Sequence, residues 1–139
     1  MIYEDDNRYA VQRARYLARK TDLRQVEGET VAYCERGYST LGIAKRTDTT
    51  QSTVQDYLEL AEALYGWEAT TTKVLPGEQP PDLEQVSPGY HRTLKTRQSK
   101  LDWLETVRKH ESRLPQEWVA KVLAEAREDG FTHKDTRSK

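Results

Sequence analysis

The stretch from Thr50 to Gly66 leaves this chain the least conformational freedom. Val54, Leu58, Ala61 and Tyr65 recur at intervals of four, three and four residues, the repeat that lines up apolar side chains on one face of an α-helix. Thr50 stands where a hydroxyl can accept from the first free amides of that helix. Gly66 stands where a left-handed residue stops it. Three further helices precede it. Asp5-Asp6 and Arg19-Lys20 place acidic and basic residues at the two ends of a helix over about residues 5–20, as the helix dipole favours. Ala10, Ala14, Leu17 and Ala18 line one of its faces; Tyr9, Arg13, Tyr16 and Lys20 form another, which reads either as a solvated face whose tyrosines cap the core or as an aromatic and basic face for a phosphate backbone. Leu23, Val26, Thr30, Val31 and Cys34 predict a second helix, N-capped by Asp22 and stopped by Gly37, which Gly28 weakens by about 1 kcal/mol relative to alanine. A short third helix carries Leu41, Ile43 and Ala44, is capped by Ser39 or Thr40, and ends near Thr47 before a turn at Asp48-Thr49.

After Gly66 the helical pattern stops. Residues 67–75, with Trp67, three threonines, Val74 and Leu75, allow one short strand; Pro76-Gly77, Pro80-Pro81 and Ser87-Pro88-Gly89 then read as a linker. A wing of two paired strands is not expected from a single candidate strand. Helical spacing returns over about 93–111 with Leu94, Leu101, Leu104 and Val107. Pro115 suits the first turn of a last helix carrying Trp118, Val119, Val122, Leu123 and Ala126, stopped by Gly130. The expectation is an all-α chain of four parts: a three- to four-helix domain over 1–66, a Pro/Gly-rich linker over 67–92, a helical hairpin over 93–130, and a flexible tail over 131–139.

Composition excludes several functions. The net charge is -1 over 139 residues, with 32% charged and 35% hydrophobic residues, so no overall basic charge argues for nucleic acid. The charge is segmental, however: +2 over 1–24, -2 over 25–58, -5 over 59–89, +4 over 90–114 and balanced over 115–139, and a local basic stripe suffices to hold a polyanion. The single cysteine, Cys34, rules out paired-cysteine metal sites and reads as a small buried hydrophobe. His91, His110 and His133 share no metal-ligand spacing. No phosphate loop, serine elbow or kinase signature is present, so neither a catalytic residue nor a cofactor is expected. No apolar run approaches the roughly 18–20 residues that span a bilayer. An acidic N-terminus without an apolar stretch after it points to a cytoplasmic protein.

The segment Thr40-Leu-Gly-Ile-Ala44-Lys-Arg-Thr-Asp48-Thr-Thr50-Gln-Ser-Thr-Val54-Gln-Asp-Tyr57-Leu58 puts a small residue at a helix crossing, a residue that tolerates left-handed dihedrals in the turn, a hydroxyl cap, and a branched residue aimed back at the first helix. Together with Gly37 this resembles the helix-turn-helix of the homeodomain-like class, which includes resolvase and sigma-factor-like DNA-binding domains. The likeness covers about residues 23–66. It implies a double-stranded DNA partner whose major groove takes the helix beginning at Thr50. Thr50, Gln51, Ser52, Gln55 and Asp56 would then face the bases, and Arg36, Lys45, Arg46 and Thr53 the phosphates. This sequence departs from the pattern in one respect. The reading face lacks a cation and carries Asp56 and Glu59, so affinity has to come from flanking basic residues or from dimerisation. The band Arg92, Lys95, Arg97 and Lys100 is one such source. The 93–130 hairpin, too short to bury both its stripes, is expected to leave apolar surface for a homodimer or larger homo-oligomer. The function that follows is sequence-specific transcriptional regulation. Alternatives are a viral or plasmid DNA-packaging or replication protein, similar to a terminase small subunit, and a protein–protein adaptor using the same helices.

Overall fold

The structure, a computed structural model, describes residues 2–68 and 73–131, apart from the side chains of residues 2–5. It is all-helical: α1 Ile2–Lys20, α2 Gln25–Glu35, α3 Thr40–Thr47, α4 Gln51–Tyr65, a short 3-10 turn at Tyr90–Thr93, α5 Arg97–Lys109 and α6 Gln116–Glu128. No strand occurs among the described residues. Residues 69–72 of the strand candidate, and 132–139 of the expected tail, lie outside them. No helix of the described residues is long and apolar enough to cross a membrane. The chain divides into two compact units, Met1–Glu84 and Gln85–Lys139.

In the first unit α2 is the central helix, packed against α1, α3 and α4. A helix enclosed on several sides has no single apolar stripe, and α2 accordingly buries Glu27, Thr30, Val31, Ala32, Tyr33 and Glu35 around its circumference. Its approach to α1 is close because both helices offer small residues. A Cβ on Gly28 would lie 2.9 Å from Ala14 Cα. Gly28 is therefore the contact that lets the helices meet. Leu17, Val31, Ile43 and Val54 are fully buried in the core that results, each contributing about 1.5–3 kcal/mol of apolar transfer. The expected N-cap of α2 is corrected. Leu23 is drawn into the core at 3% exposure, the helix begins three residues after Asp22, and Glu27 accepts from the Arg24 amide at 2.7 Å.

Charged groups are buried between α1 and α2. Glu35 accepts from Arg13 Nε and Nη2 at 3.2 and 3.1 Å, and from the Tyr9 hydroxyl at 2.7 Å. Both ions are essentially out of water, at 2% and 0% exposure. A pair this dry holds only because its remaining hydrogen-bonding positions are filled; Arg13 Nη2 also donates to Pro81 O at 2.7 Å. Of the face with Tyr9, Arg13, Tyr16 and Lys20, Arg13 is thus buried and Tyr9 half-buried against Glu35, the half-buried Tyr16 donates its hydroxyl to Asp82, and Lys20 is exposed. Arg13 is not open to a phosphate backbone. Residues 73–84 accordingly belong to the first unit rather than to a free linker. Val74 is buried and its amide donates to Glu35 O at 2.9 Å.

The second unit closes more fully than a bare hairpin. Trp103 and Trp118 meet edge to face at 6.0 Å, and each is only 7% exposed. Trp118 Nε1 donates to Val86 O at 2.8 Å, and Tyr90 packs on Trp103 at 5.3 Å. Phe131, placed in the flexible tail by sequence, is buried and stands edge-on to His91 at 5.7 Å. The apolar surface on which dimerisation through 93–130 rested is therefore covered, because residues 86–91 and Phe131 complete the core. The basic band is also engaged. Arg92 pairs with Glu125 and Asp129, Lys100 donates to Leu94 O, and Arg97 stacks over Phe131. Lys95 is exposed.

Candidate nucleic-acid interface

The Ser39 hydroxyl accepts from the Gly42 amide and starts α3. Nine residues after Ser39, Asp48 takes left-handed dihedrals, φ 56° and ψ 46°, which aspartate tolerates better than most side chains. The Thr49 amide donates to Ala44 O at 3.0 Å, and the Thr47 and Thr49 hydroxyls lie 2.9 Å apart, so the corner is closed by its own threonines. Thr50 then caps α4, accepting from the Thr53 amide at 3.2 Å. Ile43, Ala44, Val54 and Leu58 are buried where α3 and α4 pack.

Burying that stripe turns the polar residues of the first two turns of α4 outward. Thr50, Gln51, Ser52 and Gln55 are exposed, and Thr53 and Asp56 are half-buried. These residues do not have equal freedom. The Gln51 amide donates to the Thr40 hydroxyl at 2.8 Å, tying the start of α4 to the start of α3. The Thr50 and Thr53 hydroxyls are 3.0 Å apart and occupied with the cap. Gln55 and Ser52 are the side chains on this face best placed to bind something outside the chain.

The cations expected on phosphates divide in a similar way. Lys45 is exposed. Arg46 is half-buried; its Nη1 donates to Asn7 on α1 at 3.1 Å and its guanidinium lies over the Tyr38 ring at 5.4 Å. That holds Arg46 in a defined orientation near the C-terminal end of α3. Arg36 is a different case. Its side chain is 7% exposed, Nε donates to Asp6 at 3.1 Å, Nη1 donates to Val74 O at 3.0 Å, and the group stacks over Tyr9 at 4.7 Å. Arg36 binds the fold together and leaves the phosphate set. Burial, then the hydrogen bond to Asp6, raises the Tyr38 hydroxyl above its ordinary pKa, so it stays a donor to Asp6 at 2.9 Å. Cys34 is half-buried, and burial, then Glu35 and Glu62, pushes its thiol up to about 11. It is a poor nucleophile at neutral pH.

Sequence reasoning missed the Asn7–Arg46 contact, and Leu41, read as an apolar position of the third helix, is 51% exposed on α3. Asn7 gave no signal, because only the packing of α1 on α2 brings it to α3. No family model, curated protein or solved structure matches this chain.

Proposed function

We propose that the chain binds double-stranded DNA through α3 and α4 as a helix-turn-helix, with α4 in the major groove, and that it regulates transcription. One observation supports this above the others: a three-residue corner with left-handed Asp48 joins a Ser39-capped helix to a Thr50-capped helix, and the buried Val54–Leu58 stripe leaves Ser52 and Gln55 projecting outward. Gln55 is assigned to a base edge, where its amide can both donate to and accept from adenine. Ser52 and Gln51 flank it, and Thr50 and Asp56 border the same face. Lys45 and Arg46 are assigned to phosphates, with Thr53 beside the free amides of the helix start. Dimerisation through the hairpin is not part of the proposal, since its tryptophans are covered.

The test is selection from a random duplex pool at low salt, followed by binding measurements on the selected site. Gln55→Ala is expected to relax preference at one base pair by about 1–3 kcal/mol. Lys45→Ala is expected to weaken all duplexes alike and to lower the salt slope by about 1. Absence of any preferred sequence, or no effect of either change on a protein that still binds, overturns the placement of α4.

A further inference from the structure

The outer side of α1 carries a stripe of exposed positive charge. From Arg8 to Lys20 the sequence holds no acidic residue. Arg13 is consumed by Glu35. Arg8, Gln12, Arg15 and Arg19 are exposed, and their spacing of four, three and four residues places them within about 60° of arc, over a length of about 16 Å. They lie opposite Ala10, Ala14 and Leu17, which are fully buried. No carboxylate among the described residues forms an ion pair with Arg8, Arg15 or Arg19. Beside them runs a shallow groove of about 480 Å³ lined by Gln12, Arg15, Ala18, Arg19 and Gln25. The nearby carboxylate of Glu29 is engaged by the Gln25 amide at 3.4 Å.

Like charges three and four residues apart weaken a helix, and no ion pair among the described residues offsets them here. We infer that the Arg8–Arg15–Arg19 stripe is a sequence-independent docking surface for the phosphate backbone of double-stranded DNA. The inference rests on the proposed DNA reading and supplies what that reading lacks, since the outward face of α4 has no cation. A 16 Å stripe runs alongside roughly ten phosphates of a duplex, both strands counted. An anionic membrane fits less well. A helix lying on lipid inserts its apolar face, and the apolar face of α1 is already buried in the core.

The experiment measures binding of the full chain to labelled duplexes by fluorescence anisotropy across a salt series, for the wild type and an Arg15→Gln/Arg19→Gln variant. Both side chains are exposed, and circular dichroism checks that the variant is folded. The slope of log affinity against log salt is expected to fall by about 2, with about a 10- to 100-fold loss near 0.1 M salt and an unchanged ranking of sequences. Unchanged slope and affinity overturn the inference. If the wild type binds every duplex equally while the variant still loses slope, the stripe stands and the α4 reading falls. If the wild type binds no duplex at low salt, both fall; arginine-dependent binding to phosphatidylserine vesicles instead then assigns the stripe to a membrane.

Discussion

Replacing Gly28 by alanine sets helix propensity against helix packing. In an isolated helix the change adds about 1 kcal/mol of stability. Here the new Cβ would stand 2.9 Å from Ala14 Cα, 3.1 Å from its Cβ and 3.4 Å from its carbonyl oxygen. Carbon atoms rest about 3.5–4.0 Å apart, so the closest contact is short by roughly half an ångström, and against a backbone atom that cannot rotate away. α1 has to retreat from α2 and loosen the burial of Ala10, Leu17 and Val31. Overpacking of this kind costs about 1–3 kcal/mol, which exceeds the propensity gain. The expected outcome is a net loss of about 1 kcal/mol, or roughly 4–8 °C in Tm for a unit of this size. Gly42→Ala is the control. Its Cβ would meet Ser39 Oγ at 3.4 Å and Tyr38 Cδ2 at 3.6 Å, ordinary contacts, so it should gain up to about 1 kcal/mol. Urea denaturation followed by circular dichroism measures both. If Gly28→Ala stabilises the protein as Gly42→Ala does, the close α1–α2 crossing is refuted.

Glu35→Ala strands the buried Arg13 guanidinium and should cost about 3–5 kcal/mol, most of it recovered when Arg13→Met and Glu35→Leu are combined. A loss below about 1 kcal/mol in the same denaturation assay would mean that Arg13 reaches water. In the second unit the Asp129 carboxyl is held down to about 2 from 3.8, first by its hydrogen bond to Arg92 and then by His91. A carboxyl lowered on folding stabilises above its unfolded pKa and loses that contribution as pH falls. Stability should therefore decline from about pH 4 toward pH 2, and Asp129→Asn should flatten that decline in acid-unfolding curves. An unchanged acid limb in the variant would show that the clasp does not hold in solution.

Local physics is readable residue by residue in this chain. The Thr50 cap, the left-handed Asp48, the stop at Gly66 and the Val54–Leu58–Ala61–Tyr65 stripe depend on side chains within a few positions of one another, and each stands where the residue pattern placed it; of the two cap candidates for α3, Ser39 is the one used. The outward polar face of α4 follows from the same stripe. Contacts between distant segments left no such pattern. The resemblance puts Arg36 on phosphates, yet Asp6 and Val74, 30 and 38 positions away, enclose it. Arg13 reads like Arg15, and only the burial of Glu35 on α2 separates a structural ion from an exposed one.

The breaker-rich segment after Gly66 shows the same division. Its described residues form no α-helix, as its prolines and glycines lead one to expect, but composition does not record that Val74 and Pro81 supply backbone partners to α2 and α1, or that Val86 receives the Trp118 indole. Sequence alone determined the α3–α4 corner, with its cap at Thr50, its turn at Asp48 and the apolar side of α4, since those are set within a turn or two of backbone. Tertiary structure alone decided which charges are spent inside the protein and which face water, because an ion's environment is made by whatever the fold brings beside it.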